Sequence, residues 1–159
     1  MVYLDGVHFK IPHGAKCDTS IVLTALGVDL EGNKEVLALR ACAEESKEGW
    51  LSLLHDVRTR GATQVDLFVT EGHDGLLAAL AELFSATSRQ RCQVHKQRNI
   101  LNTIPRRERK EVQADLSGIW KHEKKEDALT NLNAFKAKYG QPYPEAVRMS
   151  IALEANLLC

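Results

Sequence analysis

Two acidic residues are the first in this sequence whose type and setting could do chemistry. Asp5 stands in Tyr3-Leu4-Asp5-Gly6, within an alternating stretch in which Tyr3, Asp5, Val7, Phe9 and Ile11 share one face and Leu4, Gly6, His8 and Lys10 the other. A carboxylate among Val7 and Phe9 needs a partner on that face. Glu71 follows the short β-rich run Val65 to Thr70 and opens Glu71-Gly72-His73-Asp74-Gly75 ahead of an apolar helical pattern. In α/β sheets, sites gather where strands end and helices begin. If strands one and four are neighbours, two carboxylates at adjacent strand positions repel unless a cation neutralises them. Oxygen ligands arranged in that way hold Mg²⁺. For Asp5 a plainer reading stays open, a carboxylate at a strand end hydrogen-bonded to a turn.

Other groups carry weaker signals. Cys92-x-x-His95 is half of a zinc-type set, and a four-coordinate site needs two more ligands. Cys17, Cys42 and Cys159 lie far off in sequence and never form Cys-x-x-Cys, so a buried Cys and a hydrogen-bonded His at a strand end is the favoured reading. His73 beside Asp74 reads as a catalytic pair or, more commonly, as a polar first helical turn. There is no Gly-rich phosphate loop and no Gly-x-Ser-x-Gly elbow. With no secretory leader, free thiols in a reducing cytoplasm are expected.

The elements that must position these groups change character along the chain. Tyr3 to Ile11, Ile21 to Val28 and Glu35 to Cys42 read as strands of an antiparallel meander, with a turn at Glu31-Gly32-Asn33. Ser46 suits the N-cap of a helix whose Trp50, Leu53, Leu54 and Val57 keep helical spacing, and Gly61 suits its stop. Val65 to Thr70 is a fourth strand, Leu76 to Phe84 a helix, and Arg89 to His95 a fifth strand. From Lys96 onward the pattern is helical throughout. Val112, Leu116, Ile119 and Trp120 keep helical spacing, as do Leu129, Leu132 and Phe135, and a last helix runs from about Glu145. The expected class is therefore α/β with a mixed sheet.

Composition narrows the possibilities further. The 159 residues are 44% hydrophobic and 26% charged, which excludes a disordered tail, a collagen-like repeat and a disulfide miniprotein. No apolar run approaches the roughly 20 residues that span a bilayer, so no membrane partner is expected. The zero net charge hides a split. Residues 1–88 hold 7 Lys/Arg against 13 Asp/Glu, whereas residues 89–138 hold 13 against 6. A basic stretch attracts phosphate backbones, and a solvated helical surface is the blander account.

Five blocks, taken in order, resemble the Mutator-type transposases of bacterial insertion sequences. They are Tyr3-Leu4-Asp5-Gly6, Glu45-Ser46 with Trp50, Arg60-Gly61, Thr70-Glu71-Gly72-His73-Asp74-Gly75-Leu76, and Gln90-Arg91-Cys92-x-x-His95-x-x-Arg98-Asn99. The resemblance implies a ribonuclease H-like mixed sheet with flanking helices, followed by an all-helical insertion. Residues 1–95 would be a partial catalytic core and 96–159 an incomplete insertion. The implied activity is DNA cleavage and strand transfer for transposition, by two-metal phosphoryl transfer with Mg²⁺ (or Mn²⁺).

Position by position, Asp5 matches the family's first catalytic aspartate. Glu71 occupies the place of the second, where the family pattern has Asp; both would be metal ligands. The third acid, a glutamate beyond the insertion, lies further along than this chain reaches, and Glu145 and Glu154 are not promoted to it. The amino-terminal DNA-binding region is also absent, so an internal piece of a transposase with little or no activity of its own is expected. Cys92 and His95 belong to a family block without an assigned role. Arg91, Lys96, Arg98, Arg106, Arg107, Arg109 and Lys110 are expected to bind DNA, both terminal repeats and target. The full-length protein is expected to form a homo-oligomer in the bacterial cytoplasm. The competing reading is a non-catalytic module that binds DNA or another transposase subunit.

Overall fold

The structure, a computed structural model, describes residues 1–13, 16–121 and 124–157. It divides into two compact units, Met1–Cys92 and Gln93–Cys159. The first holds β1 (Val2–His13), β2 (Lys16–Val28), β3 (Lys34–Cys42), α1 (Lys47–Thr59), β4 (Leu67–Thr70), α2 (Asp74–Leu83) and β5 (Ser88–Arg91). The second holds α3 (Gln93–Asn102), α4 (Arg109–Trp120), α5 (Lys125–Tyr139) and α6 (Pro144–Leu157).

The five strands form one mixed sheet in the order β3-β2-β1-β4-β5. β1 pairs antiparallel with β2, and β2 with β3. β4 runs parallel to β1 on one side and to β5 on the other. The β2–β3 turn is set by side-chain chemistry, because the Asp29 carboxylate accepts from the backbone amides of Glu31 and Asn33 at 2.9 and 2.8 Å. The Asn33 side-chain amide, which donates to the same carboxylate at 2.9 Å, and these backbone bonds hold the Asp29 carboxyl below its ordinary value. At the other end of β3, the Ser46 hydroxyl accepts from Gly49 N at 3.2 Å and starts α1 as its spacing predicts.

The core of this unit lies against one face of the sheet. Register puts Val2, Leu4, Leu23, Ala25 and Ala38 on that face, where they pack with Trp50, Leu53 and Leu54 of α1 and Leu76 and Leu80 of α2. The opposite face carries Asp5 together with Tyr3, Val7, Phe9 and Ile11, which are 39–49% exposed. The apolar alternation in β1 therefore does not mark the core side. Only Val2 and Leu4, at the start of the even-numbered run, enter the core under α1 and α2; His8 and Lys10 are exposed.

β5 ends at Arg91, not at His95 as expected from sequence. Cys92 N still donates to Thr70 O at 2.7 Å, after which the chain turns into α3. Gln93, Lys96, Gln97 and Arg98 are good helix formers, and Ile100 at the far end of the helix is fully buried. His95 is thus a helical residue.

In the second unit, Val112, Leu116 and Ile119 of α4 and Leu132 and Phe135 of α5 form a core of their own with Ile100 and Ile104. Pro144 opens α6, where its missing N–H costs nothing. Lys138 of α5 reaches Glu111 and Asp115 of α4 at 2.8 and 2.7 Å, and the Tyr139 hydroxyl donates to Asp115 at 2.8 Å. Lys138 holds the Asp115 carboxyl below its usual range, and the pairing raises the ammonium in turn. Cys42 and Cys92 are free thiols; Cys159 and the side chains of Cys17 and Glu154 lie outside the described residues. Among the described residues no helix is long and apolar enough to cross a membrane.

Candidate functional site

Leu4 of β1 and Thr70 of β4 are paired neighbours on adjacent parallel strands. Asp5 and Glu71 are the next residues along each, so the chain delivers two carboxylates side by side where β4 ends. One carboxylate oxygen of Asp5 lies within 4.8 Å of one from Glu71, and both residues are half-buried. The Asp5 backbone carbonyl accepts from the Thr24 hydroxyl at 3.0 Å, which ties this part of β1 to β2 through a side chain as well as through the ladder. Two hard oxygen donors this close are able to hold a divalent cation.

The backbone beyond Glu71 is held by an arginine. Gly72 has φ +87°, a left-handed conformation that a side chain resists, and it begins the turn into α2. Arg91 Nη1 of β5 donates to Gly72 O at 3.1 Å. The guanidinium lies so close over Gly72 that an added Cβ would fall 1.7 Å from Arg91 Nη1. Glycine at position 72 is therefore required twice, by its φ and by its neighbour. Arg91, grouped from sequence with the DNA-contacting cations, has its guanidinium committed at least in part to the loop that carries Glu71.

His73 is the N-cap of α2 but makes no side-chain cap bond. Its Nδ1 is buried and lies 3.6 Å from Glu45 Oε1. Glu45 precedes the cap of α1, and its side chain is only 9% exposed. It accepts from Trp50 Nε1 at 3.0 Å and lies 3.9 Å from His8 Nε2 of β1. The sequence offers Glu45 and Trp50 as motif residues but gives Glu45 no place beside Gly6 and His73, which flank Asp5 and Glu71 in the chain. No local pattern signals that β1, the β3–α1 junction and the β4–α2 loop converge.

The remaining basic residues belong to the second unit. Lys96 and Arg98 lie on α3, Arg106 and Arg107 in the α3–α4 connection, and Arg109 and Lys110 in the first turn of α4. Arg98, Arg106, Arg107 and Lys110 are exposed, whereas Lys96 and Arg109 are half-buried. Arg109 Nε donates to Ile104 O at 2.9 Å, and Arg107 Nε to Glu108 at 3.0 Å. Arg98 and Arg109 line one groove of about 350 Å³ with Gln97 and Gln113. Glu111 and Asp115 pair with Lys138. Cys92 is half-buried at the end of the first unit, and His95 lies in the first turn of α3, in the second.

A five-stranded mixed sheet with six helices, in which Asp5 of β1 lies beside Glu71 at the end of β4, defines an α/β protein. Sequence comparison gives the lineage. The chain matches the family described as "Transposase, Mutator family" over residues 1–158 and belongs to that family. It is 35% identical over 146 residues to the transposase for insertion sequence element IS6120 of Mycolicibacterium smegmatis, covering 92% of this chain and 45% of that protein. It is 37% identical over 138 residues to the transposase for insertion sequence element IST2 of Acidithiobacillus ferrooxidans, covering 86% and 47%. With the transposase for insertion sequence element IS1201 of Lactobacillus helveticus, identity is 31% over 157 residues, covering 99% and 42%. The chain spans about half the length of these relatives or less.

Proposed function

We propose that this chain carries part of the catalytic core of an insertion-sequence transposase, which cleaves DNA and joins it to a target by metal-assisted phosphoryl transfer. The observation that carries the reading is the approach of Asp5 and Glu71 on adjacent parallel strands, within 4.8 Å of one another. An antiparallel meander that runs into parallel strands bearing these acids supports a ribonuclease H-like core. Residues 1–95 are read as part of that core and 96–159 as part of the helical insertion.

In this reading Asp5 and Glu71 hold Mg²⁺ (or Mn²⁺) through carboxylate oxygens. A divalent cation bound there supplies charge stabilisation at phosphoryl oxygens and favours ionisation of the attacking hydroxyl or water. Asp5 is fixed by the β1 ladder, and Glu71 by the strand end behind it and the Arg91-held Gly72 ahead of it. Glutamate at 71 reaches a methylene further than the aspartate of the family pattern, and a misplacement of about 1 Å can cost on the order of 10²-fold in rate. The exposed Arg98, Arg106, Arg107 and Lys110, with Lys96 and Arg109, supply affinity for the DNA backbone. Arg109 and Lys110 oppose the dipole of α4, an arrangement that an anionic partner relieves.

The exposed basic residues also favour a second reading, a module that binds DNA without cutting it. A strand-cleavage assay on insertion-element end DNA with Mg²⁺ or Mn²⁺, alongside Mn²⁺ titration calorimetry, separates the two. The catalytic reading expects Mn²⁺ binding that Asp5→Ala and Glu71→Ala each weaken by at least about tenfold. It also expects any nicking to vanish in Asp5→Ala. DNA binding that falls steeply with salt, without Mn²⁺ binding or nicking, supports the second reading.

A further inference from the structure

Glu45 is nearly buried, and the Trp50 indole engages one of its two carboxylate oxygens. Its surroundings explain its placement. Gly6, the residue after Asp5, lies against it so closely that a Cβ at Gly6 would fall 2.9 Å from Glu45 Oε2. His73, two residues after Glu71, presents Nδ1 to Glu45 Oε1 at 3.6 Å. Trp50, fully buried in α1, donates to that same Oε1 at 3.0 Å. One side chain thus touches the segment that carries Asp5, faces the loop that carries Glu71, and is anchored from below by a rigid core residue.

We infer that Glu45 is a positioning residue for the acidic pair: it sets the spacing of the β1 segment at Asp5 against the β4–α2 loop at Glu71. The inference rests on the reading of Asp5 and Glu71 as metal ligands. Its physical basis is the geometry. β1 and β4 are paired only over Val2–Leu4 and Phe68–Thr70, so Asp5 and Glu71 stand just past the last hydrogen-bonded pair and the ladder does not set their separation. Arg91 holds the Glu71 loop on the β5 side through Gly72. Glu45 reaches the same loop through His73 and is the group that also meets β1. The His8 imidazole, 57% exposed at 3.9 Å, adds a second weak contact from β1. Groups that orient metal-binding carboxylates without touching the ion typically change metal affinity by 10–100-fold when removed.

The test is Mn²⁺ titration of the whole 159-residue chain in a double-mutant cycle, with thermal unfolding recorded for every variant. Glu45→Ala is expected to weaken Mn²⁺ binding about tenfold at a temperature where the variant is folded. In a Glu71→Ala background the same substitution is expected to weaken binding by less than about twofold, because Glu45 acts through the loop that places Glu71. Where Glu45→Ala does not fold, Glu45→Gln keeps the length and the acceptor for Trp50 and enters the same cycle. Unchanged Mn²⁺ affinity with a lowered unfolding temperature overturns the inference, since Glu45 would then be structural only. Full additivity with Glu71→Ala overturns it as well. Asp5→Ala is the separate control. If it leaves Mn²⁺ affinity unchanged, the metal reading fails and the positioning role with it. If Asp5→Ala abolishes binding while Glu45→Ala does not alter it, the metal reading stands and only the role of Glu45 falls.

Discussion

The two units handle charge in opposite ways. In Met1–Cys92 the charged groups of interest gather around the end of β4: Asp5, Glu45, Glu71 with His73, and Arg91 come from four separate stretches of chain. In Gln93–Cys159 they spread outward, with basic residues exposed on α3, on α4 and between them, and with acids tied to Lys138 at the surface. The first unit holds 9 Lys/Arg against 13 Asp/Glu and the second 12 against 8. Inward convergence demands a fixed frame, because each group's place depends on several elements at once. Outward spread demands only a stable helix surface. The difference teaches that substitutions at the groups gathered around the end of β4 should be costly, and that substitutions at exposed cations of the helical unit should be cheap for stability.

The largest expected effect tests the frame itself. Trp50 is fully buried and bonded to Glu45, so Trp50→Ala should cost about 3–5 kcal/mol in denaturant unfolding. A loss below about 1 kcal/mol would mean that this core does not support the site.

Two glycines sharpen the comparison. Gly72→Ala forces a left-handed residue and displaces Arg91, and should destabilise by about 1–2 kcal/mol or more. It should also weaken Mn²⁺ binding. Gly118 of α4 has ordinary space for a Cβ, whose nearest neighbour would be Asn131 Nδ2 at 3.7 Å. Gly118→Ala should therefore stabilise by up to about 1 kcal/mol. Thermal unfolding of both variants checks the pair, and equal signs would break the contrast.

The outward-facing cations are expected to act one by one. Arg98→Ala should weaken DNA binding across all sequences and lower the slope of log affinity against log salt by about 1. It should leave Mn²⁺ binding unaltered. A titration series at several salt concentrations reads this out, and an unchanged slope removes Arg98 from the DNA surface.

The smallest effect concerns pH in the helical unit. Lys138 depresses the Asp115 carboxyl below its ordinary value of 3.8. Between the folded and unfolded values the unfolded chain binds more protons, so this stabilisation is present above about pH 4 and is lost as pH falls through the folded value. The pair is partly exposed and screened, so Asp115→Asn should cost at most about 1 kcal/mol at neutral pH. It should also flatten the acid limb of a stability profile. An unaltered limb would assign the acid loss to other carboxylates.

Much of the fold was legible locally. The Ser46 cap with Trp50, Leu53, Leu54 and Val57 behind it specified α1, since capping and helical spacing act within a few residues. The Glu31-Gly32-Asn33 turn and the apolar part of β2 from Ile21 were readable for the same reason. The end of β5 was not. Arg91, Cys92 and Gln93 have no strong local preference; the ladder closes where Cys92 N meets Thr70 O, and Ile100 is buried in the core of the helical unit. The side of β1 that faces the core was also not legible, because both faces carry apolar residues and only the packing of α1 and α2 selects one.

For the site, the sequence by itself determined which acids were available, their place at strand positions, and the family to which their order belongs. Residue type and local alternation are enough for that. Only the tertiary structure decided that β1 and β4 are parallel neighbours, that Arg91 is drawn onto Gly72, and that Glu45 lies between Gly6 and His73. Those relations join residues some 20 to 70 positions apart. They arise from burying one sheet face under two helices, and no pattern confined to neighbouring residues encodes them.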